Sequence, residues 1–403
     1  MATETLTHSP TALRLLDERG ARTATHVATS ASPRRDVALD LLRGLAMVIL
    51  VVNHLHLDSA LEYVTEPFLS AAETLVAVSG VVTGMVFGRR WRAEGPRVAA
   101  LGLLRRARTL YLASVAVVAL VAAFKLVPGA ATEALTVLPR GGADLYAFDG
   151  VLRTALAVLT LEAGPWQFNI LGFFVAALAA APAVLAALAR GWWALALGAS
   201  WMLYLLGRTT MADVLPSQSE GPFPLLVWQV LFVHGVVLGW HRERAAAAVR
   251  RARGVVVAAI LALAALAAYG RLHELGLDPL GLDPLLGFTP ADWARWDAAH
   301  FSKATLDPAR LLTMTSLAAA AYLALRRFAP VIERTVGRVL LPLGRNSFYV
   351  FIMHVFVCLA VASLPPLAGD GLGLAGNTAV QLGCLALLWL MVRRRFLFRW
   401  VPR

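Results

Sequence analysis

Six polar residues interrupt an otherwise lipophilic stretch, LDLLRGLAMVILVVNHLHLD (39–58): Asp40, Arg43, Asn53, His54, His56 and Asp58. Their types suit proton transfer and anion binding. A neutral imidazole takes up a proton near neutral pH, and a guanidinium grips phosphate in a planar fork. A helix turns about 100° per residue, so the step from Arg43 to His54 ends within about 20° of three full turns, roughly 16 Å along the axis. Both side chains lie on one stripe, with Asp40 and Asp58 near it. Leu45, Val48, Ile49 and Val52 cover the rest. Ionisable groups at membrane depth are costly and mark function more often than packing. His54 is therefore read as a general base, against the plainer reading of a hydrogen-bonded histidine inside a bundle.

Other residues enter through their relation to this stripe. Glu73 falls deep in the next apolar segment, where a carboxylate needs a partner. It is expected to orient His54 and stabilise its protonated form; a structural pair with Arg43 is the alternative. Asp58, one turn past His54, is a rival orienter or simply solvated. His354 stands three turns from Arg345 and either lines the same pocket or packs against the first helix. Ser79-Gly80 lacks the Gly-x-Ser-x-Gly context of a nucleophile, so Gly80 and Gly84 are read as close helix-packing positions.

The elements that must position these groups are membrane helices. Of 403 residues, 59% are hydrophobic, and the mean hydropathy is +0.67. That composition indicates an all-α polytopic membrane protein. Apolar runs of spanning length fall at about 37–57, 67–88, 103–126, 166–189, 192–207, 223–240, 254–270, 308–326, 343–364 and 375–392. Asp149 and Arg153 interrupt the apolar stretch 145–161, which is expected to be a non-spanning helix. About ten spans with both termini cytoplasmic place 29 of the 37 basic residues inside, as the positive-inside rule requires. An eleventh span would put HRERAAAAVRRARG outside. Acidic residues show the reverse bias, falling in outer loops that include Glu66, Asp278 and Asp283.

The net charge of +12 is thus a topology signal, and nucleic-acid binding is not expected. Cys358 and Cys384 lie in apolar runs, so neither a disulfide framework nor a metal site is indicated. Residues 1–33 are polar and lack a signal-peptide core, which suggests a flexible cytoplasmic tail. A membrane domain follows over 34–395, then a basic cytoplasmic tail at 396–403. The repeated Gly-Leu-Asp-Pro at 275–287 is assigned no function, and no paired halves of a transporter are visible.

Two motifs carry a resemblance. RGLAMVILVVNH, Arg43 to His54, resembles the first-helix signature of the acyltransferase-3 superfamily of integral membrane acyltransferases. LGRNSFYVFIMH, closing on His354, resembles its late-helix motif of Gly, two residues, Ser, an aromatic pair and His. AAETLVAVSGVVTGMVFGRR (71–90), LRRARTLYLA (104–113), FNILGFFVAALAAAP (168–182), LLVWQVLFVHGVVLG (225–239) and KATLDPARLL (303–312) narrow the likeness to the OpgC family of osmoregulated periplasmic glucan succinyltransferases. Asn169 stands where that family usually has Asp, and Leu75 where it usually has Phe.

The resemblance implies a bacterial cytoplasmic-membrane enzyme that moves an acyl group, succinyl favoured, from cytoplasmic acyl-CoA to a hydroxyl of an extracytoplasmic glycan. His54, Glu73 and His354 would be catalytic. Arg43 would meet a CoA phosphate, with Arg105, Arg106 and Arg108 either helping or anchoring the helix at the membrane surface. Read from the residues themselves, Asp58, Trp166, Gln167, Gln229 and Lys303 are expected to contact the acceptor from the outer side; the plainer reading is that tryptophans at a membrane interface are common without a ligand. Acetyl transfer, and transport of an organic anion or acylated sugar, remain the competing readings. An assay in detergent separates them, because only catalysis gives acylated product there.

Overall fold

The computed structural model describes residues 36–65, 71–139, 142–251, 253–274, 277, 281, 287, 289–364, 367 and 372–403. The expected tail 1–33, Glu66, Asp278, Asp283 and nearly all of the repeat at 275–287 lie outside them. Ala38–Arg403 forms one unit by its internal contacts.

Among the described residues the regular secondary structure is helical, apart from an isolated bridge between Val137 and Asp144. The first helix, α1 (Val37–Leu55), carries Asp40 in its first turn, where the helix dipole favours a carboxylate. After it come α2 (Ala60–Thr65), α3 (Ala71–Ala93) and α4 (Pro96–Phe124). Gly95, at φ 94, and Pro96 at the first helical position set the sharp start of α4, the position where a missing N–H costs least. Two short pieces, α5 (Glu133–Thr136) and α6 (Val151–Thr160), precede a 3-10 turn at Trp166–Phe168. The chain then runs through α7 (Ile170–Ala189), α8 (Trp193–Thr210), α9 (Leu225–Trp240), α10 (Arg242–Arg251) and α11 (Arg253–Glu274). The remaining helices are α12 (Pro290–His300), α13 (Pro308–Arg327), α14 (Ala329–Arg334), α15 (Gly337–Arg345), α16 (Ser347–Ala362) and α17 (Gly373–Arg393).

Among the described residues seven helices are long and apolar enough to cross a membrane, and nine if each of two bent pairs counts as one span. The expectation of about ten is reduced because α8 is helical but falls short by composition, with Ser200, Tyr204 and Arg208 in it. The expected run 343–364 is not continuous. It breaks at Asn346 into α15 and α16, which meet at 96°. Likewise α9 turns by 84° into the Arg-rich α10. The ten residues of α6 reach only about 15 Å, too short to span.

Two glycine-lined seams fix how the helices approach. At α3–α9, Gly80 and Gly84 face Gly235 and Gly239. A Cβ at Gly235 would lie 2.5 Å from Ala77 O and 2.9 Å from Val81 N, and one at Gly84 would lie 2.8 Å from Trp240 N. Small residues one turn apart let the backbones touch, which drives association where lipid removes the hydrophobic gain. The packing role expected for Gly80 and Gly84 is what the structure shows. At α1–α15, a Cβ on Gly344 would lie 2.7 Å from Gly44 N, and one on Gly44 would lie 2.8 Å from the Leu340 carbonyl carbon. This close approach explains why both quoted motifs carry a glycine.

Candidate functional site

The polar stripe of α1 faces protein along much of its length. Asp40 pairs with Arg345 at 3.2 Å, and Arg43 Nη2 donates to Ser347 Oγ at 2.5 Å. Further along, His54 Nδ1 lies 2.9 Å from His354 Nε2. Arg43 and His54 thus meet Ser347 and His354 in the same order, so α1 and α16 run side by side in one direction. The break at Asn346 makes Ser347 the first residue of α16, which brings its hydroxyl within reach of Arg43. Cys358, one turn beyond His354, directs its thiol to the His54 carbonyl at 3.6 Å.

The tautomers follow from a carbonyl. His354 Nδ1 hydrogen-bonds Phe351 O within its own helix. A carbonyl only accepts, so Nδ1 carries the proton and a neutral His354 keeps its lone pair on Nε2. His54 Nδ1 must then donate to that lone pair, which leaves the lone pair of His54 on Nε2. The chain Phe351 O, His354, His54 therefore presents a base nitrogen on the half-buried His54, while His354 is fully buried.

The turn after His54 is held from the far end of the chain. His56 sits in the left-handed region at φ 45, an uncommon conformation for a residue with a side chain. Fully buried Gln381 on α17 donates to Val52 O and Leu57 O at 3.3 and 3.4 Å and accepts from Ser59 Oγ at 2.5 Å. Asn377 Nδ2 donates to Asp58 O at 3.0 Å. These side chains satisfy carbonyls that the end of α1 leaves without helical partners. Trp166 packs across the same turn, 5.1 Å from the His54 ring edge-on and 5.0 Å from His56. Its indole N–H is tied to Ala134 O at 3.0 Å.

Three expected roles change. Glu73 was expected to orient His54; instead its Oε1 takes Arg310 Nε at 2.6 Å, with the two side chains 2% and 13% exposed. A buried carboxylate takes the strongest cation in reach, and α13 brings Arg310 to it, while the side chain hydrogen-bonded to His54 is His354. Gln229 was expected at the acceptor, but it bonds Ser200 Oγ at 2.7 Å and Ser200 O at 2.8 Å, closing the α8–α9 contact. Gln167 is buried and donates to Ala134 O at 3.3 Å. Its Oε1 has no hydrogen-bond partner among the described residues. Asp58 is exposed in the turn after α1.

Arg105, Arg106 and Arg108 are exposed on α4. Lys303 is exposed too, with Nζ 4.4 Å from the Phe223 ring centre and within electrostatic reach of His54 and Glu73. Among the described residues no group of three His, Cys, Asp or Glu side chains is arranged to hold a metal ion. Arg310, Gln381 and Asn377 were missed by the sequence reading. Only Arg310 had a signal: it lies in the block KATLDPARLL, and a carboxylate at the depth of Glu73 demands a cation.

A family model described as OpgC protein matches residues 35–400. No curated protein and no solved structure matches the chain.

Proposed function

The chain belongs to the OpgC family, and on that premise we propose that it is an O-acyltransferase of the bacterial cytoplasmic membrane with both termini inside. Membership implies acyltransferase activity of the glucan succinyltransferase kind. The donor is acyl-CoA, succinyl favoured, approaching from the cytoplasm, and the acceptor is a hydroxyl of an extracytoplasmic glycan. The carrying observation is the Phe351 O–His354–His54 relay, which leaves a lone pair on His54 Nε2.

In this reading His54 Nε2 accepts the proton of the acceptor hydroxyl as its oxygen bonds to the thioester carbonyl carbon. The carbon–sulfur bond then breaks, and the thiolate leaves with the proton that His54 returns. His354 keeps the Nδ1 proton of His54 directed and accepts its hydrogen bond throughout, as an orienting group does in base–orienter pairs. Trp166 covers the His54 ring edge and offers an aromatic surface for the acceptor sugar. Arg43, held at the other end of the stripe by Ser347, meets a donor phosphate.

The test uses purified full-length protein in detergent with labelled acyl-CoA and glucan. Wild-type protein is expected to give acylated glucan, and His54→Gln to lose about 10²–10⁴-fold in rate while melting near the wild-type temperature. Wild-type rate should fall on the acid side, where the imidazole that acts as base becomes protonated. Near-normal turnover by folded His54→Gln protein rejects His54 as the base.

A further inference from the structure

His56 follows His54 by two residues. In an unbroken helix that step turns about 200°, so the two rings would point to opposite sides. The structure places them on one side. The helix α1 ends at Leu55, and His56 adopts the left-handed conformation at φ 45. Both imidazoles then lie against the same indole, with ring centres 5.1 Å (His54) and 5.0 Å (His56) from that of Trp166. The flanking Leu55 and Leu57 are buried, while His56 is exposed.

The conformation is held from α17 and from within the turn. Besides the contacts of Gln381 and Asn377, Thr378 Oγ1 accepts from Ala60 N at 3.0 Å. Ser59 Oγ, bonded to Gln381, accepts from Glu62 N at 3.1 Å. Glycine or asparagine takes up a positive φ at less cost than histidine. Residues kept in such a conformation by their surroundings cluster at ligand clamps. What the turn gains here is a second imidazole beside Trp166. The indole N–H is already used by Ala134 O, so Trp166 offers a ligand its ring and no hydrogen bond. An imidazole supplies the polar contact that the indole lacks.

We propose that His56 and Trp166 form the acceptor subsite, the indole covering one face of a sugar ring while His56 hydrogen-bonds a second hydroxyl of the same ring. With two hydroxyls held by two imidazoles, the sugar has one orientation at His54. His56 thereby decides which hydroxyl is acylated. This rests on the acyltransferase reading above and adds the residue that sets its regiochemistry.

The experiment uses purified full-length protein in detergent with succinyl-CoA and glucan, and maps the acylated positions of the product by NMR. Wild-type protein should acylate one hydroxyl of the sugar unit. His56→Gly removes the ring and suits the left-handed turn, so it should melt near the wild-type temperature. Its KM for glucan should rise about three- to tenfold, the scale of one neutral hydrogen bond, with the KM for acyl-CoA kept. Its product should spread over two or more hydroxyls. His56→Asn, which also suits the turn and keeps a hydrogen-bonding group, should fall between the two. Product positions are read within one sample, so partial misfolding does not alter them. A His56→Gly product acylated at the wild-type hydroxyl alone overturns the assignment whatever the KM, as does a mixture of positions from wild-type protein. No product from wild-type protein, or near-normal turnover in His54→Gln, rejects the underlying acyltransferase reading instead.

Discussion

Two helix contacts in this protein solve the same problem in opposite ways. The α3–α9 seam brings Gly80 and Gly84 against Gly235 and Gly239, and backbone meets backbone. The α1–α16 contact is held by side chains: Arg43 to Ser347, His54 to His354, and Cys358 to the His54 carbonyl. In lipid, close van der Waals packing and interhelical hydrogen bonds are the available adhesives. The glycine seam tolerates no added atom and offers no chemistry. The polar contact offers proton acceptors and donors, each of which must be satisfied or used. Rigidity and reactivity are thus placed on different helix pairs.

Stability and activity should separate along this line. The largest effect is expected at the seam. Gly84→Leu forces a side chain onto Val236 and Trp240 backbone atoms, and overpacking against unyielding backbone should cost about 3 kcal/mol or more. Loss of a cooperative melt in detergent is the expected readout. A melt as in wild-type protein would mean that α3 and α9 can part without cost, and the contrast between the two contacts would fail.

Arg43→Ala comes next. Losing a charge-assisted contact costs roughly 1.5–3 kcal/mol, so the KM for acyl-CoA should rise about ten- to hundredfold with kcat nearly kept. If the melting temperature falls while KM stays, Arg43 serves Ser347 and α16 alone.

The smallest effect should come from Gln381→Leu, far from α1 in sequence yet bonded to the turn that follows His54. It strands Ser59 and the carbonyls of Val52 and Leu57, and one unmet group costs about 1–3 kcal/mol. A drop of about tenfold in kcat, with KM kept and Gln381→Asn, which keeps the amide donor and acceptor, less affected, would mark it as a positioning residue. Equal losses of kcat and melting temperature in both variants would leave it a packing residue.

Much of the fold was legible before any coordinates. The ten apolar runs each contain a helix, because spanning length and hydropathy are local properties of the chain. The non-spanning character of 145–161 was legible from Asp149 and Arg153 together with the distribution of basic residues. The break at Asn346 was not, since Leu340, Leu341 and Leu343 read as apolar wherever they point. Within the site, His54, His354 and Trp166 were named from the sequence and meet in space. Gln167 and Gln229 were named for the acceptor, and each amide donates to a neighbouring backbone carbonyl. A residue type cannot tell whether its polar atom faces a substrate or a neighbouring backbone.

The sequence by itself determined which residues had to find partners. An Asp, an Arg and two His in or beside apolar helices, and a glutamate that the structure buries in the first turn of another, cannot stay unpaired in lipid. Periodicity also determined that Arg43 and His54 share a face. Only the tertiary structure decided who pairs with whom: Glu73 with Arg310, His54 with His354, and the turn after His54 with Gln381. The reason is geometric. Helical periodicity fixes the angles among residues of one helix, but the rotation and depth of that helix against its neighbours are set by where backbones can touch. Here glycines at 44 and 344, and at 80, 84, 235 and 239, set those contacts from positions far apart in the chain.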